Sequence, residues 1–342
     1  MALFSPSESP AVVVKEIDLT GGVPNVQSTT GAIVGNFRWG PAEKRSLIAN
    51  ETELVEKFAA PDSDTTIDFH SASYFLRYSS ALQVVRAIDG NADNAISVSA
   101  DSGAGILSAV IVKNEDDFAS QSSALTAGNQ TFIGRYPGAL GNDLQVQMCH
   151  ANSTAYNAWG FKNEFDAVPA TSNFLTAKNG SNDEVHTVVV DKNGKFTGTK
   201  NAVLERYAFL SLAKDAKADD GTSIYVKDVI NERSEYIHMA GFDSAVVANI
   251  TKSGRVALDS GDDFLSTGAS LFNRHFTFNF SGGSNSNALT TTEFLGGFDL
   301  FEDKDQVEID FLIAPGMTTT ADQTTVVNDL IATAQNTRKD CV

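Results

Sequence analysis

The segment STTGAIVGNFRWGP, residues 28–41, decides how the chain is read. Ala32, Ile33 and Val34 form a short apolar run between Gly31 and Gly35, the pattern of a buried strand. Phe37, Arg38 and Trp39 carry the chain out of that strand, and Gly40-Pro41 is a turn signal. A helix is expected next: Asn50 or Thr52 caps a run through Leu54, Val55 and Phe58, Glu51 and Glu53 suit its positive end, and Pro61 closes it. Asp68 is expected to cap a second helix carrying Ala72, Phe75 and Leu76. The apolar run of residues 82–88 then reads as a strand buried between layers, completing one half of an α/β unit.

Residues 89–281 change character. Short β runs separated by Gly, Asn and Asp dominate, with strands expected over 106–112, 144–149, 185–190, 207–212 and 235–239. Asn193-Gly194 is a hairpin signal, residues 223–231 suggest a short helix, and the Asn/Ala/Ser-rich segment 151–183 reads as a surface excursion. After Ser281-Gly282-Gly283 the α/β pattern returns. Thr291 or Thr292 caps a helix through Phe294, Phe298 and Phe301, residues 307–313 are a strand, and 320–336 are a helix. The next element starts at Cys341-Val342; a β-α-β unit cut there would leave backbone groups unpaired, so the sequence is read as a fragment of a longer polypeptide.

Upstream, residues 12–19 (VVVKEIDL) favour an extended strand and have no hairpin partner nearby. Two readings stay open for Val12, Val13, Val14, Lys15, Glu16 and Ile17: an edge strand of the chain's own sheet, or an arm that adds a strand to a neighbouring subunit. Arg38 and Trp39 carry a similar pair of readings, a core-capping aromatic beside a surface arginine, or an interface anchor.

With 342 residues and 42% hydrophobic side chains, the chain is long enough for about two domains with cores of ordinary size. Its formal net charge of −18 opposes direct nucleic-acid binding, since each phosphate contact needs a cation. Self-association under that charge requires the few basic residues to meet acidic patches, so it should respond to salt. No basic leader precedes an apolar segment, and no run reaches the ~18 apolar residues of a membrane helix, so membrane insertion is not expected. Cys149 and Cys341 have no metal-ligand or redox spacing and read as reduced core thiols.

The residues offer little catalytic chemistry. Gly35 to Gly40 has the outer spacing of a phosphate loop, but Pro41 replaces the Lys and removes an N–H. Gly103-Ala104-Gly105 lacks the third glycine of a dinucleotide fingerprint, and the five histidines are scattered. Asp62, Asp64 and Asp68, like Asp259, Asp262 and Asp263, lack the Gly and Glu of a calcium loop and read as solvated turns. No enzyme, cofactor or metal is expected; the reading from another class is a cytosolic enzyme with an acidic cleft or a carbohydrate-binding β protein.

Taken together, residues 9–17, 31–41, 54–58, 82–89, 135–143, 234–237, 280–283 and 307–314 resemble, in order and spacing, the contractile phage tail sheath proteins, especially those of T4-like phages. The resemblance implies a split α/β core in two pieces, 23–88 and 282–342, with a β-rich outer domain, 89–281, inserted between them and an N-terminal arm, 1–22, lying in a neighbour's sheet. It implies a virion protein assembled in the host cytoplasm as stacked hexameric rings around the tail tube protein, with baseplate and tail terminator proteins as further partners. Contraction would follow from rigid-body rearrangement of subunits. Sheaths of related contractile machines, such as R-type bacteriocins or secretion systems, fit the same pattern. Two departures matter: the segment before Arg135 is short, and the remainder of the C-terminal domain, which lines the tube, is missing.

Overall fold

The computed structural model describes residues 29–99, 110–127, 131–242, 264, 275–285, 289–317 and 319–342. The chain begins with β1 (Gly31–Gly35), β2 (Ser46–Ile48), α1 (Glu51–Phe58), α2 (Thr66–Leu76) and β3 (Leu82–Arg86). It continues through β4 (Asn94–Ser99), α3 (Glu115–Ala127), β5 (Phe132–Pro137), β6 (Leu144–His150), α4 (Ser153–Ala158) and α5 (Asn173–Thr176). Then come β7 (Glu184–Asp191), β8 (Ala202–Ser211), α6 (Val226–Arg233), β9 (Ile237–Met239), β10 (Phe276–Ser281), α7 (Thr291–Asp299), β11 (Phe311–Ile313) and α8 (Thr320–Ala332). The result is a mixed α/β fold on two sheets.

The smaller sheet has the order β11-β1-β3-β2, with β1 central and parallel to both β11 and β3. It draws its strands from residues 31–86 and 311–313. Side chains alternate across β1: Ile33 faces α1 and α2 with Phe58, Phe69 and Ala72, while Ala32 and Val34 face α7 and α8 with Phe294, Phe298 and Val326. Both faces are therefore covered, which is why the strand reads as an unbroken apolar run. The larger sheet, β8-β7-β6-β10-β4-β5-β9, is antiparallel throughout and lies between the two pieces in sequence.

Local chemistry explains most element ends. Asn50 accepts the Glu53 N–H at 3.0 Å and caps α1, with Glu53 reaching back to the Ala49 N–H. Thr290, one residue ahead of the expected caps, forms a full capping box with Glu293 and starts α7. Asp68 is not a cap. Thr65 holds the N-cap position of α2, and Asp68 is buried within the first turn, accepting the N–H groups of Asn36 and Gly316 at 2.7 and 2.8 Å.

Four further expectations are corrected. The Asn-Gly pair does not make a two-residue hairpin: residues 192–201 form a longer loop, because the buried Asp191 carboxylate accepts N–H bonds from Lys195, Phe196 and Thr197 and winds the chain around itself. The segment 151–183 is not a mere excursion. Trp159 and Phe165 pack on Cys149, Val188 and Val190, covering the second face of β6 and β7. Of the strand expected over 106–112, residues 106–109 lie outside the described part, and 110–112 run beside β4 held by the fully buried Asn94 side chain, which accepts from Val112 N and donates to Val112 O. The strand expected over 307–313 is limited to β11. Helix α3, not anticipated, has the buried Phe118 on its inner face.

The end strand β9 is sealed by its own helix. The Asn231 amide accepts Met239 N–H and donates to Met239 C=O, and Ser234 Oγ accepts the Ile237 N–H.

His238, on β9, stacks flat on Phe118 with ring centroids 4.0 Å apart, and neither ring nitrogen has a partner among the described residues. Burial, with repulsion from Arg135 second, pushes its pKa down to about 3 from 6.5. The unfolded chain therefore gains a proton that the folded chain refuses, and stability is lost as pH falls from 6.5 toward 3. Denaturant titrations at pH 7 and 4.5 should show the wild type losing roughly 2–3 kcal/mol more than His238→Phe, from about 1.4 kcal/mol per pH unit over two units.

Candidate functional site at the joint between the sheets

The segment that leaves β1 builds the contact between the two sheets. Phe37 stays with α1, its ring 4.9 Å from Phe58. Gly40 takes φ +101°, and a Cβ there would lie 2.7 Å from the Lys57 carbonyl, so the turn tolerates no side chain. That turn delivers Trp39 into the core of the larger sheet, where it packs edge-on to Tyr136 at 5.6 Å and Phe196 at 5.3 Å. Trp39 is 3% exposed and offers almost no area to another molecule. Its neighbour Arg38 is half-buried, with its Nε 3.5 Å from the Asp62 carboxylate.

Arg86, at the end of β3, completes the joint. Its guanidinium is buried and donates to four carbonyls: Phe37 O at 2.7 Å, Gly40 O at 3.0 Å, Arg38 O at 3.4 Å and Pro137 O at 2.8 Å. The first three belong to the exit from β1, the fourth to the end of β5, so one side chain ties both sheets. No carboxylate pairs with it among the described residues, and burial pulls its pKa down to about 9, leaving it protonated at neutral pH. A second seam lies beside it. Ala42 N–H donates to Lys113 O, Asn114 donates to Ala42 O, and Lys113 pairs with Glu43 at 2.7 Å.

A cleft of about 420 Å³ opens above Trp39, between α1 and the β5–β9 end of the larger sheet. Arg135 is its most enclosed charge. It pairs with Glu115 at 2.7 Å and donates to Ser234 O, and the paired guanidinium holds the Glu115 carboxyl below the usual carboxylate range. Arg135, Glu115 and Ser234 are thereby engaged with one another and with neighbouring main chain.

The crevice beyond the C-terminal ends of β1 and β11, where open α/β sheets commonly place ligands, has a volume of about 350 Å³. It is lined by Asp64 and Asp68, and the N–H groups of Asn36 and Gly316 in its wall are taken by the Asp68 carboxylate. The Asp68 carboxyl is raised above its ordinary pKa by burial, partly offset by its two backbone donors. An anionic phosphate would meet like charge there. Gly35 serves close approach instead, since a Cβ on it would lie 2.8 Å from Asp68 Cβ. Among the described residues no group of three or more His, Cys, Asp or Glu side chains is placed to hold a metal, and no helix is long and apolar enough to cross a membrane. Both cysteines are buried and free, and burial pushes the Cys149 thiol up to about 12.

Of the residues singled out from the sequence, the structure brings Arg38 and Trp39 to this joint. Val12 to Ile17 lie outside the described residues, as does the cluster Asp259, Asp262 and Asp263. Arg86 and Asn94 were not anticipated, and Asp68 was expected only as a helix cap or part of a solvated turn. The signal for Arg86 was present as a charged residue directly after Val84-Val85 in a run otherwise apolar on both sides.

Comparison with known proteins bears on what such a joint is for. Over 204 residues, 59% of the chain, the sequence is 35% identical to the tail sheath protein of Salmonella phage ViI. Over that stretch the chain is similar to a phage tail sheath protein. The tail sheath protein of Enterobacteria phage T4 is 41% identical over 81 residues and that of Vibrio phage KVP40 36% over 81 residues, 24% of this chain in each case. The matched segment spans 29% of the length of the ViI sheath protein and 12% of each of the other two. No family model matches the chain. Two solved sheath tail proteins overlay on it: one from Listeria innocua at TM-score 0.43 and 10% identity, covering 90% of this chain and 45% of that one, and one from Desulfitobacterium hafniense at TM-score 0.46 and 11% identity, covering 98% and 51%.

Arg86→Lys keeps the charge but can satisfy fewer of the four carbonyls, each of which costs about 1–3 kcal/mol when left buried and unpaired. A loss of at least ~3 kcal/mol is expected. The two sheets should then unfold in separate steps, followed by near-ultraviolet circular dichroism for the Trp39 environment and far-ultraviolet signal for the whole. A single coincident transition of unchanged midpoint would show that the joint does not depend on Arg86.

Proposed function

We propose that this chain is the structural subunit of a contractile phage tail sheath. Residues 23–88 and 282–342 are the two pieces of a split α/β core, 89–281 an inserted β-rich outer domain, and 1–22 an arm that pairs with a neighbouring subunit. Subunits stack as hexameric rings around the tail tube protein, bounded by baseplate and tail terminator proteins, and contract by rigid-body rearrangement. The chain works in the virion after assembly in the host cytoplasm.

The observation that carries this reading is the 35% identity to a tail sheath protein over 204 residues. The joint supports it. A subunit that exchanges neighbours without deforming needs its two sheets to move together, and a four-carbonyl arginine beside an enclosed tryptophan resists independent motion. Energy stored at assembly needs no bound nucleotide, consistent with an acidic crevice at the ends of β1 and β11.

Negative-stain electron microscopy of the purified chain over a range of salt tests the reading; rings or tubes are expected, and monomers at every salt concentration would count against it. Deleting residues 1–20 should leave the circular dichroism spectrum and melting temperature intact while abolishing ordered polymers. Tubes of normal length from the deletion variant would remove the arm from the mechanism.

A further inference from the structure

Helix α2 is apolar on more than one side. Its inner face packs Phe69 and Ala72 on the smaller sheet, yet Ile67 and Tyr74, at i and i+7, together with Tyr78 in the turn just past its C-terminal end, form a second line that is 66%, 56% and 94% exposed. His70 lies between them, its ring 6.2 Å from that of Tyr74, and the Arg77 guanidinium sits 4.9 Å over the Tyr74 ring. The line continues to the sheet edge through Phe75, whose ring meets the half-exposed Phe311. Arg77 has no carboxylate partner among the described residues, and the only carboxylate on α2, Asp68, is buried. On a chain of net charge −18 this is an aromatic surface with one cation and no exposed carboxylate from the helix itself, bordered by Asp64 only at its Ile67 end.

The acidic complement lies in the opposite layer. Helix α7 packs on the other face of the same sheet, and the turn that follows it exposes Glu302, Asp303 and Asp305 around a single cation, Lys304. The two surfaces sit on opposite sides of one sheet, so a two-fold dimer cannot join them reciprocally, whereas a head-to-tail contact can.

We propose that the Ile67-Tyr74-Arg77-Tyr78 face of α2 docks on the acidic turn after α7 of a second copy of this chain. The proposal rests on the sheath reading and names the surfaces that reading leaves open. Tyrosine supplies rigid apolar area, and Arg77, desolvated beneath carboxylates, supplies direction; both residue types dominate binding energy at interfaces. Like copies carrying large negative charge approach best where one of them carries little of it.

Sedimentation velocity of the 342-residue chain, over protein concentration and at two salt concentrations, tests this. Wild type should associate, and Arg77→Glu and Tyr78→Asp should each weaken association roughly tenfold or more. Both positions are exposed, so unchanged melting temperatures are expected and separate a lost contact from a lost fold. Combining Arg77→Glu with Asp303→Lys and Asp305→Lys in one chain should recover association, because each copy then offers a matched pair of reversed surfaces. If wild type associates and Arg77→Glu and Tyr78→Asp associate equally well, the α2 face is wrong while the sheath reading stands. If they weaken and the reversed chain does not recover, the acidic turn is not the partner surface. A wild type that stays monomeric throughout overturns both this contact and the sheath reading.

Discussion

The structure depends on a buried cation, Arg86, that has no counter-ion among the described residues. A guanidinium removed from water is costly, and the usual remedy is a carboxylate. Arg86 instead spreads its donors over four carbonyls from two separate parts of the chain. Three of those carbonyls lie on the irregular exit from β1 and the fourth at the end of β5, so the arginine and these segments solve each other's desolvation problem. Trp39 could not enter the larger sheet's core without that backbone being held, and the Gly40 turn positions both.

The same device recurs with other side chains. Asn94 stands in for a missing strand partner beside Val112, Asp191 gathers three N–H groups of the loop after β7, and Asp68 bridges the loops that follow β1 and β11. Each is a buried polar group fully engaged with main chain. Connections are thereby fixed without large apolar residues, which suits a chain whose long non-helical segments exceed what its helices can cover.

What the sequence disclosed followed periodicity. Ala32-Ile33-Val34, the caps at Asn50, the strands beginning near Leu144 and Val185 and the long C-terminal helix were legible because they rest on local pattern and capping chemistry. The polar connectors were not. Asp68 has the composition of a helix cap, and only the arrival of Asn36 and Gly316, one of them 248 residues away, makes it a bridge. The Asn193-Gly194 turn failed for a related reason, since Asp191 competes for the chain before a tight hairpin closes. Arg38 and Trp39 are adjacent and chemically similar as interface candidates, yet a turn of the backbone sends one inward and the other to the rim. Helix α3 has little amphipathic contrast and is held by Phe118, His238 and Ile133, contacts far apart in sequence.

In the sheath assembly proposed above, the sealed strand β9 has a further consequence. When subunits are held side by side at high local concentration, every bare sheet edge is an invitation to pair in a wrong register, and such mispairing is hard to reverse. Asn231 and Ser234 occupy the main-chain groups that a stray strand would use. An intruder would have to displace a helix-borne amide from both sides of Met239 before gaining its first bond. In that proposed assembly, growth would be steered away from that end of the larger sheet, and its order would be protected by a contact that lies wholly within one subunit.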